Sequence, residues 1–279
     1  MKKQSWVDLR QDVDTGIEVI RAHFVGHAYD PHWHDSYLIG FTEQGVQQFH
    51  CRRTLVSSVA GQTFFLEPGD IHDGHAPTPG GFTYSTLYLH PNWLQQALAA
   101  LFEQAPSDCL PGVPRTQPED PQLLPYIAHA LHALRDGEPR MVRDAALDAL
   151  LERISRNLSW RQRTACSAQI PAVALRAREY LHAHYQENIG LEALARVCEV
   201  DRFHLSRAFK AAFGIAPHGY LIQLRLAQAR RLLALGAAPA DVASDLGFAD
   251  QSHLGRWFRR ANGFTPGTYR NLRTKLQDR

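Results

Sequence analysis

Over residues 15–89 the apolar positions come in short runs rich in aromatic and β-branched side chains. Examples are Tyr37-Leu38-Ile39-Gly40-Phe41-Thr42, Gly45-Val46-Gln47-Gln48-Phe49-His50, Thr63-Phe64-Phe65-Leu66 and Phe82-Thr83-Tyr84-Ser85-Thr86-Leu87-Tyr88-Leu89. Such side chains suit a pleated, half-buried surface. Turn residues at Gly16, Gly26, Gly45, Gly61, Pro68-Gly69 and Pro79-Gly80-Gly81 punctuate the runs, as they do between strands. Short strands at this spacing predict a sandwich or small barrel. After Pro91 the period lengthens to that of helices. One helix is predicted over 92–104 and one or two over 121–160, broken near Asp136-Gly137-Glu138-Pro139. Residues 106–121 are Pro-rich and read as an ordered loop, and the polar stretch 161–169 as a linker. Leu147, Leu150, Leu151, Ile154 and Leu158 form a helical stripe that serves equally as a dimer seam or as packing against the strands of its own chain.

From residue 170 onward the pattern is all helical, and it contains one module twice. His204-Leu205-Ser206-Arg207-Ala208-Phe209-Lys210 recurs 49 positions later as His253-Leu254-Gly255-Arg256-Trp257-Phe258-Arg259. The register continues through Gly214/Gly263, Pro217/Pro266 and Tyr220/Tyr269, while Leu194-Ala195 pairs with Val242-Ala243 at an offset of 48. Fixed-period self-similarity marks a duplicated supersecondary unit. Each copy reads as a short helix, a turn and a longer basic helix, the helix-turn-helix pattern. Asp201 is placed to cap the second helix of the first copy, with Gly214 and Gly263 as stops and Gly247 in the second turn. A helix over 217–235 separates the copies and would span about 28 Å at ~1.5 Å per residue. That length suits two recognition helices in successive major grooves, about 34 Å apart. Leu205, Ala208, Phe209 and Phe213 in one copy, and Leu254, Trp257 and Phe258 in the other, form inward stripes. Arg202, Phe203, Ser206, Arg207 and Lys210, with Gln251, Ser252, Arg256 and Arg259, remain for the groove.

Charge sharpens this division. Residues 170–279 carry 16 Lys+Arg against 9 Asp+Glu, and the remainder 14 against 19, which sum to the overall +2. A cationic half suited to a polyanion is therefore joined to a mildly anionic one. Fourteen of the 16 cations are Arg, the side chain best shaped for phosphates and guanine edges. The four cysteines, Cys51, Cys109, Cys166 and Cys198, show no metal-ligand spacing and read as thiols of a reducing compartment. No apolar run approaches the ~20 residues of a membrane span, and the N-terminus lacks the apolar core of a signal peptide. A cytoplasmic location is expected, with no membrane partner.

The segment Gly247-Phe248-Ala249-Asp250-Gln251-Ser252-His253-Leu254-Gly255-Arg256-Trp257-Phe258-Arg259-Arg260, followed by Gly263-Phe264-Thr265-Pro266-Gly267-Thr268-Tyr269-Arg270, resembles the signature of AraC/XylS-type transcriptional regulators. The upstream copy resembles that family's first helix-turn-helix. The resemblance implies base-reading places for Phe203, Ser206 and Arg207 and for Gln251, Ser252 and Arg256, with Gly255 departing from the usual polar side chain there. His32-Trp33-His34 and Pro68-Gly69-Asp70-Ile71-His72 are similar to the two signature segments of cupin barrels, which such regulators commonly carry as effector-binding domains. In enzymatic cupins the matching histidines, here His32, His34 and His72, join a carboxylate to hold a transition metal. Tyr37, Leu38 and Ile39 occupy the place where that carboxylate is expected, while Glu43 lies further on and Asp35 and His75 are possible substitutes. The expected fold is α+β in two domains: a cupin-like β-barrel followed by helices over 1–160, a linker over 161–169, and an all-α half with two helix-turn-helix motifs over 170–279. The expected function is a ligand-responsive, non-enzymatic DNA-binding regulator, an activator rather than a repressor. Its expected partners are double-stranded DNA, a small effector, RNA polymerase and a second copy of the chain. Candidate effector anchors are His32, His34, Tyr37, Glu43, Gln48 and His72. No cofactor is expected, the alternative being a divalent metal at the three histidines. Two further alternatives are a metal-dependent cupin enzyme with a DNA-binding tail, and a constitutive DNA-binding protein whose barrel only dimerises.

Overall fold

The computed structural model describes residues 5–52, 54–102, 109–156, 158–162 and 170–277. The fold is α+β, in two compact units, Met1–Ala165 and Cys166–Asp278. In the first unit eight strands precede the helices: β1 (Trp6–Gln11), β2 (Glu18–Phe24), β3 (His27–His32), β4 (Tyr37–Cys51), β5 (Thr54–Val59), β6 (Thr63–Leu66), β7 (His72–His75) and β8 (Phe82–Leu89). They form one antiparallel sheet in the order β1-β2-β8-β4-β7-β3, with β5 and β6 also paired to β4. The long β4 curls the sheet. Its first part pairs with β6 and β8, and its second part with β5 and β7. The result is a half-barrel with β1 and β3 at its two ends.

A register shift between Thr42 and Gln44 marks where β4 bends. Gly45 sits beside it at φ 75°, and an added Cβ would lie 2.1 Å from the carbonyl oxygen of Gly81, so this position admits glycine alone. The extra residue inverts the alternation of faces. Before the bulge Tyr37 and Ile39 point outward and Leu38 and Thr42 inward. After it the inward positions are Gln47, Phe49 and Cys51.

The outward face of the first half of the sheet is covered by α1 (Pro91–Leu101), α2 (Leu123–Arg135) and α3 (Arg140–Ser155). Val19, Tyr37, Ile39, Phe65, Leu87 and Leu89 from the strands pack there against Leu94, Leu98, Ile127 and Leu131 from the first two helices. Leu147, Leu150, Leu151 and Ile154 of α3 are at most 3% exposed in this same core, with Leu158 packed against it. The stripe thus packs inside its own chain, against α1 and α2 in the core they share with the sheet, and the dimer-seam reading is overturned. Gly137, at φ 67°, breaks α2 from α3 as the sequence indicates. Two short strands were missed: β9 (Cys109–Gly112) and β10 (Ser159–Gln162), which pair antiparallel. The helix expected to reach residue 160 therefore stops at Ser155, and the linker reading begins two residues inside a strand. The rest of that linker, 163–169, lies outside the described residues.

The second unit is all helical: α4 (Ala172–Ala183), α5 (Leu191–Val197), α6 (Arg202–Phe213), α7 (Pro217–Ala234), α8 (Pro239–Asp245), α9 (Gln251–Asn262) and α10 (Pro266–Gln277). The repeat is legible in its ends. The Asp201 carboxylate accepts from the backbone N–H groups of Phe203 and His204, and the Asp250 carboxylate from that of His253. Gly214 and Gly263 close α6 and α9 in the left-handed region at φ 76° and 80°. In the turns, Glu199 at φ 57° occupies the place that Gly247 takes at φ 71°. Gly247 has no alternative, because a Cβ would lie 2.2 Å from the Gln186 carbonyl oxygen. Buried Arg225 of α7 braces the same region, donating to the carbonyl oxygens of Tyr185, Gly247 and Glu187 at 2.6–2.7 Å.

Candidate effector pocket and nucleic-acid interface

Inside the curl, His32 at the end of β3, His34 just beyond it and His72 at the start of β7 converge, each buried. One ligand atom of each lies within 4.8 Å of the others. The two signature segments meet because β3 and β7 are antiparallel neighbours with His32 opposite His72. His32 Nδ1 lies 2.7 Å from the Asp30 carbonyl oxygen and His72 Nδ1 3.0 Å from that of Asp70. A carbonyl can only accept, so both rings carry their proton on Nδ1 and turn an Nε2 lone pair inward. His34 Nε2–H then donates to His32 Nε2 across 3.0 Å. Burial holds the His72 imidazole below its ordinary range, which keeps it neutral.

Around this cluster stand Tyr29, edge-on to His32 and His72 at 5.1 and 6.0 Å, and Tyr88, edge-on to His34 at 4.9 Å. Gln47 Nε2 donates to the Tyr29 hydroxyl at 3.0 Å. Burial pushes the Tyr29 phenol far up, so it stays protonated. Phe24, Tyr84, Phe64 and Phe49 extend an aromatic lining along the inner face through stacked and edge contacts. The arrangement is an aromatic inner face with a few polar groups at one end, the composition usual in a small-molecule site.

Three of the anchors proposed from sequence lie elsewhere. Tyr37 points into the helix-covered core and donates to the Pro111 carbonyl oxygen at 2.7 Å. Glu43 sits on the outer face in a paired contact with Arg21 at 2.8 Å, and accepts from Ser85. The Arg21 and Ser85 contacts outweigh its partial burial and hold its carboxyl below the usual range. Gln48 is also turned outward, bonding His75 and Ser57. Past the bulge the inward residue is Gln47, one position before the predicted Gln48. Tyr29 was missed as well, although its spacing from His32 and its aromatic ring were visible. Of the possible carboxylate substitutes Asp35 is exposed, and His75 pairs with Gln48 away from the cluster.

In the second unit Leu205 and Phe209 of α6 and Leu254 and Phe258 of α9 are fully buried. The opposite faces carry Arg202, Phe203, Arg207 and Lys210, and Gln251, Ser252, Arg256 and Arg259, all exposed, with Ser206 half-buried. Arg202 is the positioned member: it pairs with Glu192 at 2.8 Å, and its guanidinium lies 4.8 Å from the centroid of the exposed Phe203 ring. Arg207, Lys210, Arg256 and Arg259 join no ion pair among the described residues. Two capped helices of matching construction thus present cationic faces that the fold does not neutralise. That is the electrostatic footprint of a polyanion-binding surface. Among the described residues no helix is long and apolar enough to cross a membrane.

Comparison with known proteins agrees with this geometry. Residues 14–177 match the family described as AraC-like ligand binding domain, and residues 194–272 match a helix-turn-helix domain. The uncharacterized HTH-type transcriptional regulator YbfI of Bacillus subtilis (strain 168) is 28% identical over 250 residues, covering 88% of each chain. The HTH-type transcriptional activator RhaS of Escherichia fergusonii is 37% identical over 100 residues, 34% of each chain. In fold, the chain is similar to ToxT of Vibrio cholerae O395, with a TM-score of 0.52 over 97% of this chain and 98% of that one at 9% identity. The chain belongs to the family of transcriptional regulators that join an AraC-like ligand-binding domain to a helix-turn-helix domain.

Proposed function

We propose that the protein is a ligand-responsive, sequence-specific activator of transcription acting in the cytoplasm. The observation that carries this reading is the pairing of two cation-faced recognition helices with a buried, aromatic-walled cluster of three histidines in a separate unit. In the reading, α6 and α9 enter the major groove of double-stranded DNA. Arg202, Phe203, Ser206, Arg207 and Lys210 serve one half-site, and Gln251, Ser252, Arg256 and Arg259 the other. A small effector enters the curled sheet and meets His32, His34 and His72 beside Tyr29, Gln47 and Tyr88. Such an effector shifts DNA binding only through different affinity for two arrangements of the protein. Activation proceeds through contact with RNA polymerase, the role that the family resemblance implies.

One observation favours a second reading of the pocket. Inward Nε2 lone pairs on His32 and His72, fixed by Nδ1 hydrogen bonds to backbone carbonyls, fit a divalent first-row metal, which would take the place of the His34 Nε2 proton between the rings. His32, His34 and His72 would hold it, and it would supply a Lewis-acidic docking point for an oxygen-bearing effector. The cluster includes no carboxylate, which separates it from the ligand set of the enzymatic cupins.

One variant tests both. His34→Ala/His72→Ala is expected to lose effector response in a promoter-reporter assay while its DNA affinity in a mobility-shift assay stays within about threefold of the parent's. Wild-type response in the double variant would show that the pocket is misplaced. Metal analysis of the same pair of proteins decides the second reading: one equivalent in the parent and none in the variant supports it, and none in either contradicts it.

A further inference from the structure

The DNA-binding unit contains a cleft of its own, of about 370 Å³, near the low end of the size range of small-molecule sites. Its floor is made by Leu181 of α4, Leu194 of α5 and Leu221 of α7, which are 1%, 1% and 3% exposed and belong to the unit's hydrophobic core. The cleft therefore opens straight onto core side chains. Its rim is polar: Asn188, Ser206 and His218 line it, and none has a side-chain hydrogen-bond partner among the described residues. An apolar floor beneath a few polar groups that make no side-chain hydrogen bond to the protein is the composition of a ligand site. No Asp, Glu, Lys or Arg is among the lining residues. Burial, reinforced by the charges of Arg225 and His253, holds the His218 imidazole below its ordinary range, so the rim is neutral near pH 7.

We infer that this cleft is a second small-molecule site, separate from the histidine cluster, for a compact neutral molecule with an aromatic or alicyclic body and a hydrogen-bonding edge. The location gives it a consequence. Ser206 lies on α6, and resting on the reading that α6 enters the groove, an occupant of the cleft alters or blocks the surface that meets DNA. The site thus opposes DNA binding directly, with no signal passing from the first unit.

The test uses the full chain with leucine-methyl labelling and four neutral probes: indole, phenol, benzamide and cyclohexanol. At least one probe is expected to shift the methyl resonances of Leu181, Leu191, Leu194 and Leu221 saturably. At saturation it is expected to raise the operator Kd at least threefold. The His34→Ala/His72→Ala protein should respond to the probe in the same way, which separates this site from the histidine cluster. Ala216→Trp, which adds bulk at the cleft wall, and Asn188→Ala, which removes an exposed rim amide, should each weaken probe binding at least fivefold. Any one of three results overturns the inference: no saturable shift at these leucines with any probe, shifts unaffected by both substitutions, or saturation with operator affinity unchanged. If the unliganded protein binds no DNA at all, it is the reading of α6 that fails, while the methyl shifts still report on the cleft.

Discussion

Gln47 shows how much one residue of offset matters in a curled sheet. It is 3% exposed, and its amide satisfies the hydroxyl of the buried Tyr29, whose ring stands against His32 and His72. Gln48, chosen from the sequence for the same role, faces outward. The histidines themselves were legible, because two short segments carried them and an antiparallel pair of strands brings those segments together. The glutamine beside them was not, because a bulge leaves no unambiguous mark in a run such as Glu43-Gln44-Gly45. Replacing Gln47 by Leu leaves the Tyr29 hydroxyl buried without that donor, which costs about 1–3 kcal/mol. Chemical denaturation is expected to show a loss of that size, with effector response reduced as Tyr29 shifts against the histidines. Unchanged stability would mean that Tyr29 finds another partner.

At the scale of elements, α9 carries a feature that its own packing does not explain. Gly255 lies in the middle of the helix, at the place that Ser206 takes in α6, and a Cβ there would meet nothing within 4 Å. Glycine inside a helix is destabilising by roughly 0.5–1 kcal/mol relative to alanine. Gly255→Ala is therefore expected to raise the melting temperature. If α9 lies close against DNA at this point, the same substitution weakens operator binding, giving effects of opposite sign from one methyl group. A stabilised variant that binds as tightly as the parent would place Gly255 away from the DNA. The helices of this unit were read closely from sequence, since caps and stops such as Asp201, Gly214 and Gly263 act locally. The strands β9 and β10 were not, because four-residue strands declare themselves only through their partner, more than 40 positions away.

For the molecule as a whole, the duplication and the charge asymmetry between halves were sufficient to divide the chain. The second unit has its own core, built around Leu181, Leu194, Leu205, Phe209 and Leu221. A fragment of residues 167–279 is expected to unfold cooperatively and to bind operator DNA more weakly than the full chain. A fragment that is insoluble or inert toward DNA, beside an active full-length protein, would contradict independence of the two units. The stripe on α3 was ambiguous in sequence because a dimer seam and an intramolecular face share one period. Burial within the chain's own core, against α1 and α2, resolves it.

The central claim, that both helix-turn-helix motifs read sequence, is tested most directly by equilibrium titration of full-length protein against a mapped genomic site and against scrambled DNA of the same length. Arg207→Ala and Arg256→Ala are measured in parallel. The expected result is clear preference for the mapped site, a loss of about 1–3 kcal/mol in each variant, and relaxed base preference confined to a different half of the site in each. Equal affinity for mapped and scrambled DNA would contradict the account, as would losses in both variants that are the same for every sequence.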